Sequence, residues 1–578
     1  MKLRPPTTPA PEADGTAHRP WAAGAAAILG AASFASMAWI VATSHQPLPV
    51  WDEWLMLIQL EPALVGGLSP RLLLRHFYEH LVVSQRLVAY LDHAFLGGQN
   101  VLPKVANLAV QLLHALLLIA LIRRRPKGGG PDPGRPVAAG LLVALMFSAQ
   151  HTIVLRSGFQ FSMVSTLAAV TAAAWAWSRA ADPRGRSPVP YAALAVAAGL
   201  AAATCFGSGL LIWPALLMTG AMARVRWPLL TAPVLGLTLS LAAHRVDPVP
   251  LGHGGVLTPM LEQPALVALR AIALVGTPAR GLGTAAGLAF GVVGAAAGLT
   301  LLVWMVRRRP RGAEIVHGSL LLFLGGSLTL AASARSNLGL GQAFKERYGL
   351  FAMLFWIALL MTWRIRRHRA PATWGRFGDG AAVAAVALLL VTGAVAHVEK
   401  LRTADLWPRH FDHGAAALRS GVDDGPLLAD IGLKTRRVRE GDAILRRHRL
   451  SIYRNPPVWA LGSSAPPYDR APADACLGRL TAETTVRPKG GPGGAGLRLD
   501  GWAWDRAAGA APREIFVVDA GGRLAGYGSG GDLRRKVARR LDEVTSTRSG
   551  WRAYGGGTGP FTLDVLLADG RLCRLDTP

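Results

Sequence analysis

Residues 101–125 read VLPKVANLAVQLLHALLLIALIRRR, an apolar run that ends in three consecutive arginines. A run of about 20 apolar residues is long enough to cross the hydrocarbon core of a bilayer as a helix. Basic residues that directly follow such a run collect on the cytoplasmic side of the membrane. This stretch therefore predicts a transmembrane helix whose C-terminal end lies in the cytoplasm.

The composition of the whole chain agrees with this stretch. Of the 578 residues, 51% are hydrophobic and only 17% are charged, and the mean hydropathy is +0.31. Soluble proteins are typically about a quarter charged, so the composition argues against a soluble enzyme, a disordered chain and a coiled coil. It predicts a polytopic α-helical membrane protein.

The net charge of +27 is distributed as in a membrane protein rather than a nucleic-acid-binding one. Of the 62 Lys and Arg residues, 22 lie in six short segments next to apolar runs. This is the positive-inside pattern, and no basic stripe is interleaved with aromatic residues. With the basic segments inside, the N-terminus is cytoplasmic and the C-terminal domain is extracytoplasmic. About eleven spans are expected, at residues 21–42, 101–122, 137–150, 160–178, 189–205, 207–223, 227–243, 282–306, 315–333, 348–363 and 378–397.

The last third of the chain changes character. Polar helical patterns give way to a Pro-rich stretch and then to strand signals at Leu497–Trp504, Glu514–Val518 and Phe561–Leu567. We expect a β-sandwich there, and Cys476 and Cys573 bracket it and can form a disulfide if it lies outside the cytoplasm. The predicted domains are a disordered tail (1–20), a transmembrane domain (21–397, with a long first outer loop at 44–100), a helical segment (398–455), a linker (456–475) and the β-sandwich (476–578).

Acidic residues are scarce, so the few on the outer side are candidates for chemistry. The densest group is Trp51-Asp52-Glu53-Trp54, directly after the first span. One interpretation is an aromatic belt at the membrane interface with two solvated acids. The other is a carboxylate held at the lipid–water boundary beside a membrane-bound substrate.

Two further outer groups are polar. Tyr78-Glu79-His80 and Arg86 follow in the same loop, where amphipathic stretches at Leu68–Phe77 and Leu87–Leu96 predict helices lying on the membrane surface. A later loop carries cations on the side that is normally poor in them, which indicates either a lipid-phosphate anchor or a clamp for a phosphate. Its candidate residues are Arg335, Lys345, Arg347 and Tyr348.

In this order the motifs resemble the GT-C superfamily of lipid-linked-sugar glycosyltransferases, and in particular its largely uncharacterised bacterial members. The similarity spans most of residues 45–365. It departs from the family pattern at Leu81, where an Arg often stands; Arg86 is the candidate substitute. The motifs are Trp51-Asp52-Glu53-Trp54, Tyr78-Glu79-His80, Ser157-Gly158-Phe159-Gln160-Phe161, Ser208-Gly209-Leu210-Leu211-Ile212-Trp213-Pro214 and Arg335…Glu346-Arg347-Tyr348.

The resemblance implies an inverting glycosyltransferase of the bacterial inner membrane. A polyprenyl-phosphate sugar would be the donor, and an envelope glycan, lipid or protein the acceptor, with membrane lipids as the other partners. Asp52 or Glu53 would be the catalytic base, or would hold a metal; the pair is compatible with Mg²⁺ or Mn²⁺ but requires neither. Substrate binding would fall to Glu79, His80, Arg86, Arg335, Lys345, Arg347 and Tyr348.

Two other functions remain open from the sequence. The chain could be a non-catalytic scaffold of an envelope-assembly complex that keeps the fold for binding. A transporter of lipid-linked glycans is less favoured, because transporters usually carry ionisable residues or broken helices near the middle of the membrane. The predicted spans contain almost no acidic residues.

Overall fold

The structure is a computed structural model that describes residues 20–123, 134–182, 187–247, 257–367, 372–455, 459–464, 468–486, 496–557 and 559–576. Almost all of the predicted disordered tail (1–20) and parts of the predicted linker (456–475) lie outside the described residues. The rest divides into a helical membrane part, three helices that follow it and a C-terminal β-sheet domain.

The membrane part contains seventeen α-helices among the described residues. They are α1 (Pro20–Thr43), α2 (Asp52–Gly66), α3 (Pro70–Leu73), α4 (Val83–Leu96), α5 (Leu102–Arg123), α6 (Gly134–Met146), α7 (Thr152–Arg156), α8 (Phe161–Ala180), α9 (Val189–Cys205), α10 (Ile212–Ala223), α11 (Trp227–Ala243), α12 (Leu257–Glu262), α13 (Pro264–Val275), α14 (Thr284–Arg308), α15 (Ala313–Ser333), α16 (Gly349–Arg366) and α17 (Ala372–Thr403).

Eight stretches of the described chain are long and apolar enough to cross a membrane, as in a multi-pass membrane protein. They contain α1, α5, α6 with α7, α8, α14, α15, α16 and α17. Four further apolar helices, α9, α10, α11 and α13, are shorter. Helices therefore occupy all eleven predicted positions, but only eight meet the length expected of a full crossing.

The predicted surface helix at Leu68–Phe77 is wrong in its extent. Helix α3 covers only Pro70–Leu73, and Phe77 and His80 pair as an isolated antiparallel bridge around Tyr78, whose φ is 54°. A positive φ is incompatible with a continuing right-handed helix. The second predicted surface helix is present as α4.

Asp92 connects this outer loop to the membrane. Its buried carboxylate accepts hydrogen bonds from the backbone N–H groups of Asn100, Val101 and Leu102 at 2.8–3.2 Å. The first N–H groups of a helix have no partner within it, and a carboxylate there also favours the helix dipole. Asp92 therefore fixes where α5 begins.

Helices α18 (Leu406–Arg419), α19 (Gly425–Gly432) and α20 (Thr435–Arg447) pack against α2 of the first outer loop. Trp54 is fully buried between them, and Gly432 and Gly441 lie where an added Cβ would meet its ring at 3.2 and 2.5 Å. Two chain segments far apart in sequence thus form one apolar core, which places both on the same side of the membrane part.

The C-terminal domain is one antiparallel seven-stranded sheet, with strand order β1-β2-β5-β4-β3-β6-β7. The predicted β-sandwich is therefore wrong: the sheet is a half-barrel, not two packed sheets. Register shifts in the β1–β2, β3–β4 and β4–β5 pairs increase twist, which lets one sheet roll up. The strands are β1 (Cys476–Val486), β2 (Gly496–Asp505), β3 (Glu514–Asp519), β4 (Leu524–Asp532), β5 (Gly550–Gly556), β6 (Phe561–Leu566) and β7 (Leu572–Leu575).

The two edge strands of the rolled sheet meet. Cys476 of β1 and Cys573 of β7 form a disulfide, with their Cα atoms 6.2 Å apart. Arg479 and Asp576 form an isolated bridge between the same edges. Unpaired edges are sites of unwanted strand addition, and here each edge strand lies against the other.

Candidate functional site

Asp52 stands at the start of α2, where the chain leaves the first span. The preceding residue, Trp51, has a φ of 49°, and its backbone N–H and indole N–H donate to the carbonyls of Ile431 and Asp430. The segment between α18 and α20 therefore holds the turn that orients Asp52. A carboxylate in the first turn of a helix is stabilised by the helix dipole.

The carboxylate of Asp52 has two near partners. Its Oδ1 atom lies 3.5 Å from the hydroxyl of Tyr78 and 3.7 Å from Nη1 of Arg437. Burial raises the pKa of Asp52 above its ordinary value, while Arg437 and Arg347 oppose that shift. The side chain keeps 31% of its surface exposed, so a ligand can reach a carboxylate that takes up protons more readily than a free one.

Glu53 is held quite differently from its neighbour. Oε2 accepts from the backbone N–H of Val50 at 2.9 Å and from Nδ2 of Asn100 at 3.0 Å. Oε1 accepts from the backbone N–H of Phe159 at 3.0 Å and from Ser157 Oγ at 3.4 Å. Both oxygens are thus occupied, which fits a structural role in joining the segment between α1 and α5 to the segment between α7 and α8.

The Phe77–His80 turn brings Glu79 and His80 to the same region. His80 Nε2 lies 3.3 Å from Glu79 Oε1, and the His80 ring packs against Phe206 with the ring centroids 4.3 Å apart. Burial lowers the pKa of His80, an effect that Glu79 opposes and Arg335 reinforces. His80 is therefore a weaker base than a free imidazole, and its ring can hydrogen-bond to an anion.

Arg335 and Arg347 both approach the ring of Tyr348 in the loop between α15 and α16. Their guanidinium carbons lie 5.1 and 5.2 Å from the ring centroid. Buried Arg270 of α13 donates to the carbonyls of Arg335 and Leu338, which fixes the loop. Burial lowers the pKa of Arg335, and the negative charges of Asp52 and Glu79 act in the opposite direction.

These effects connect the three groups into one site. The charges of Arg347 and Glu79 shift the pKa of Asp52, and the charges of Asp52 and Glu79 shift the pKa of Arg335. The structure therefore brings together six of the predicted residues, which come from α2, the Phe77–His80 turn and the α15–α16 loop. They are Asp52, Glu79, His80, Arg335, Arg347 and Tyr348.

Two predicted binding residues have other surroundings. Arg86 is fully buried, and its guanidinium donates to the carbonyls of Leu73 and Arg75 and to Gln59 Oε1. These contacts fit a clamp that holds the outer loop together. Lys345 is exposed, and the adjacent Glu346 pairs with Lys400 of α17 at 2.6 Å.

Arg437 is a site residue that the sequence pattern did not indicate. It lies on α20, beside Asp52, and its guanidinium carbon is 5.5 Å from the Tyr78 ring centroid. The sequence offers one weak signal, since Arg436, Arg437 and Arg439 form a basic cluster around the buried Val438. Nothing in that pattern indicates which basic side chain meets the first outer loop.

Three buried polar atoms, two on site residues and one two positions after Phe206, have no hydrogen-bond partner among the described residues. They are Nδ1 of His80, Oγ of Ser208 and the hydroxyl of Tyr348. An unpaired buried polar group costs about 1–3 kcal/mol. A bound ligand with hydroxyl or phosphate oxygens would satisfy such groups.

The donor set does not fit a resident Mg²⁺ or Mn²⁺ ion. Both oxygens of Glu53 already accept from N–H and O–H donors, so the predicted Asp52–Glu53 pair cannot bind a metal together. No group of three or more His, Cys, Asp or Glu side chains converges within the described ranges. Asp52 faces arginines, which supply positive charge by themselves.

We compared the chain with known protein families, with curated proteins and with solved structures, and found no match.

Proposed function

We propose that the protein is an integral-membrane glycosyltransferase. It transfers a sugar from a polyprenyl phosphate to a hydroxyl of an envelope glycan, lipid or protein. The observation that carries the proposal is a reachable, partly buried Asp52 beside Arg347 and Arg437. A base next to cations is what a hydroxyl nucleophile and a phosphate leaving group require.

In this mechanism Asp52 accepts the proton of the acceptor hydroxyl. The hydroxyl oxygen attacks the anomeric carbon of the donor sugar and forms the new glycosidic bond. The bond from that carbon to the phosphate oxygen breaks, and polyprenyl phosphate leaves with the electron pair. Attack from the face opposite the phosphate inverts the anomeric configuration. General-base assistance of this kind typically contributes ~10²–10⁴-fold.

The leaving phosphate is bound by the α15–α16 loop. Arg335 and Arg347 both lie close to the Tyr348 ring, and guanidinium groups pair with phosphate oxygens through two parallel hydrogen bonds. The hydroxyl of Tyr348, which has no hydrogen-bond partner among the described residues, and the ring of His80 add hydrogen bonds to the phosphate oxygens. Arg86 and Glu53 support the loops that carry these groups.

Contacts at the helix ends support eleven crossings. The 17-residue helices α9 and α11 both end beside the segment that leads into the Phe77–His80 turn: Phe206 packs on His80, and the His244 ring lies 5.5 Å from the ring of His76. Between them α10 returns to the basic turn at Arg224. Helix α13 does not cross in this scheme, because Arg270 and Arg280 bind the same α15–α16 loop.

The positive-inside pattern orients this arrangement in the bacterial inner membrane. The opposite face contains Arg366, which pairs with Glu314 at 3.3 Å and lies 3.5 Å from the Trp304 ring. It also carries the basic ends of α14 and α16, which favours the cytoplasm. The site and the C-terminal domain then face outward.

The test is to replace Asp52 by Asn in cells whose only copy of the protein is the variant. Lipid-linked sugars and envelope glycans are profiled by mass spectrometry. We expect one polyprenyl-phosphate sugar to accumulate and one glycan to lose a residue. Glu61→Gln is the matched control, because Glu61 lies on the same helix but pairs with Arg447 and His448.

Two results would contradict the proposal. Undiminished transfer in folded Asp52→Asn would remove the proposed base. Unchanged sugar pools in Asp52→Asn, together with a defect in cells that lack the whole protein, would favour the scaffold.

A further inference from the structure

Strand β4 runs along α18 toward the membrane. The backbone N–H of Tyr527 donates to Ser420 at 2.9 Å near the far end of α18, and Ser529 contacts His413 at 2.9 Å near its middle. Near the start of α18, Arg409 donates to the carbonyl of Gly531. The loop that joins β4 to β5 therefore lies at the membrane end of the β-domain.

The start of α18 marks the level of the membrane surface. It follows α17 after two residues, and its Trp407 packs at 5.7 Å on Trp51 and at 3.7 Å under Arg156. Trp51 and Arg156 both stand at the outer ends of spans. Arg548 pairs with Asp405 at this level, so the far end of the same loop is also held close to the bilayer.

The β4–β5 loop, residues 533–549, has the composition of a membrane-surface contact. Four of its basic side chains and two of its leucines are exposed: Arg535, Lys536, Arg539, Arg540, Leu533 and Leu541. Val537, Ala538 and Val544 turn inward onto Trp502 and Trp504, which gives the loop a core of its own. The loop thus presents a shaped cationic surface.

We propose that the β4–β5 loop binds the anionic headgroups of the bilayer that contains the helices. Each Lys or Arg close to an anionic leaflet contributes about a fivefold preference. The exposed leucines can enter the headgroup region beside them, as in amphipathic membrane-surface segments. Asp542 and Glu543 reduce the net charge, but Glu543 is paired with Arg506. The contact does not depend on the proposed enzymatic reaction.

The test uses the full-length protein in nanodiscs with a Cys205→Ala background. An environment-sensitive fluorophore is attached at Thr545→Cys, an exposed position in the loop. The matched control is Ala520→Cys in the exposed turn between β3 and β4, at the opposite end of the domain. The quencher is a phospholipid with a nitroxide on its headgroup.

In discs with about one third phosphatidylglycerol, we expect strong quenching at position 545 and little at position 520. Quenching at 545 should fall in pure phosphatidylcholine and in high salt, which screens surface charge. The quadruple variant Arg535→Gln/Lys536→Gln/Arg539→Gln/Arg540→Gln should lower it even in anionic discs. Equal quenching of the two labels would overturn the proposal. So would quenching at position 545 that does not change with lipid charge, salt or the four substitutions.

Discussion

The guanidinium of Arg437 lies 3.7 Å from the carboxylate of Asp52, although most of the transmembrane region separates α2 from α20 in sequence. The contact exists because Trp54 and its apolar neighbours bind α20 to the first outer loop. Arg437 opposes the effect of burial on the pKa of Asp52. The C-terminal helices therefore contribute directly to the electrostatics of the candidate site.

Arg437→Gln should shift the pH profile of transfer. A base works in its ionised form, so activity is lost as the pH falls through the pKa of Asp52. Burial already raises that pKa, and removing Arg437 takes away its largest opposing cause. The acid limb of the rate–pH profile should therefore move to higher pH. Arg436→Gln, at an exposed neighbouring position, is the control. If the acid limb of the rate–pH profile does not move in folded Arg437→Gln, Arg437 does not affect the pKa of the base.

Much of the architecture could be predicted from the sequence. Long apolar runs and their basic ends are local features, so helices occur at every predicted span. The strands at Leu497–Trp504 and Glu514–Val518 lie within β2 and β3 for the same reason. The arrangement of the sheet was not predictable, because the pairing of β2 with β5 and the register shifts depend on contacts between distant residues.

The candidate site was likewise predictable only in part. Residue type indicated Asp52 and Arg347, because acids and clustered cations are unusual on the side of the membrane that the charge pattern predicts to be outside. The sequence could not separate Asp52 from Glu53, since only the folded loops bring N–H donors to the second carboxylate. Arg437 was missed because its role depends on how α20 packs.

Glu53→Gln should lower the stability of the fold more than it lowers the rate of sugar transfer. The amide replaces one acceptor oxygen with an NH₂ group that faces existing N–H or O–H donors. Leaving such buried groups unsatisfied costs about 1–3 kcal/mol. Thermal unfolding in detergent, followed by tryptophan fluorescence, should show a lower midpoint than for Asp52→Asn. Transfer per folded molecule should stay near the wild-type value. A fully stable Glu53→Gln protein without activity would return the catalytic role to Glu53.

Arg347→Ala should weaken use of the lipid-phosphate donor. A hydrogen bond to a charged group contributes about 1.5–3 kcal/mol, so the apparent KM for donor should rise by about tenfold to a hundredfold. Arg347→Lys keeps the charge but loses the bidentate hydrogen-bond geometry. Its KM for the donor should therefore lie between those of the wild type and Arg347→Ala. Initial rates against donor concentration measure this order. If both variants lose folded protein in proportion to activity, Arg347 is structural.

Removing the Cys476–Cys573 disulfide should destabilise the rolled sheet. The bond joins the edge strands β1 and β7 and closes a loop with a sequence separation of 97. For a loop of this length, the restriction of the unfolded chain stabilises the folded state by about 4.7 kcal/mol in the entropic account. The double variant Cys476→Ser/Cys573→Ser should therefore unfold at a lower temperature in detergent, as should the reduced wild-type protein. Cys205→Ala removes the remaining cysteine, which is buried and free, and should change the midpoint far less. Equal midpoints for oxidised and reduced wild type would show that strand pairing alone holds the edges together.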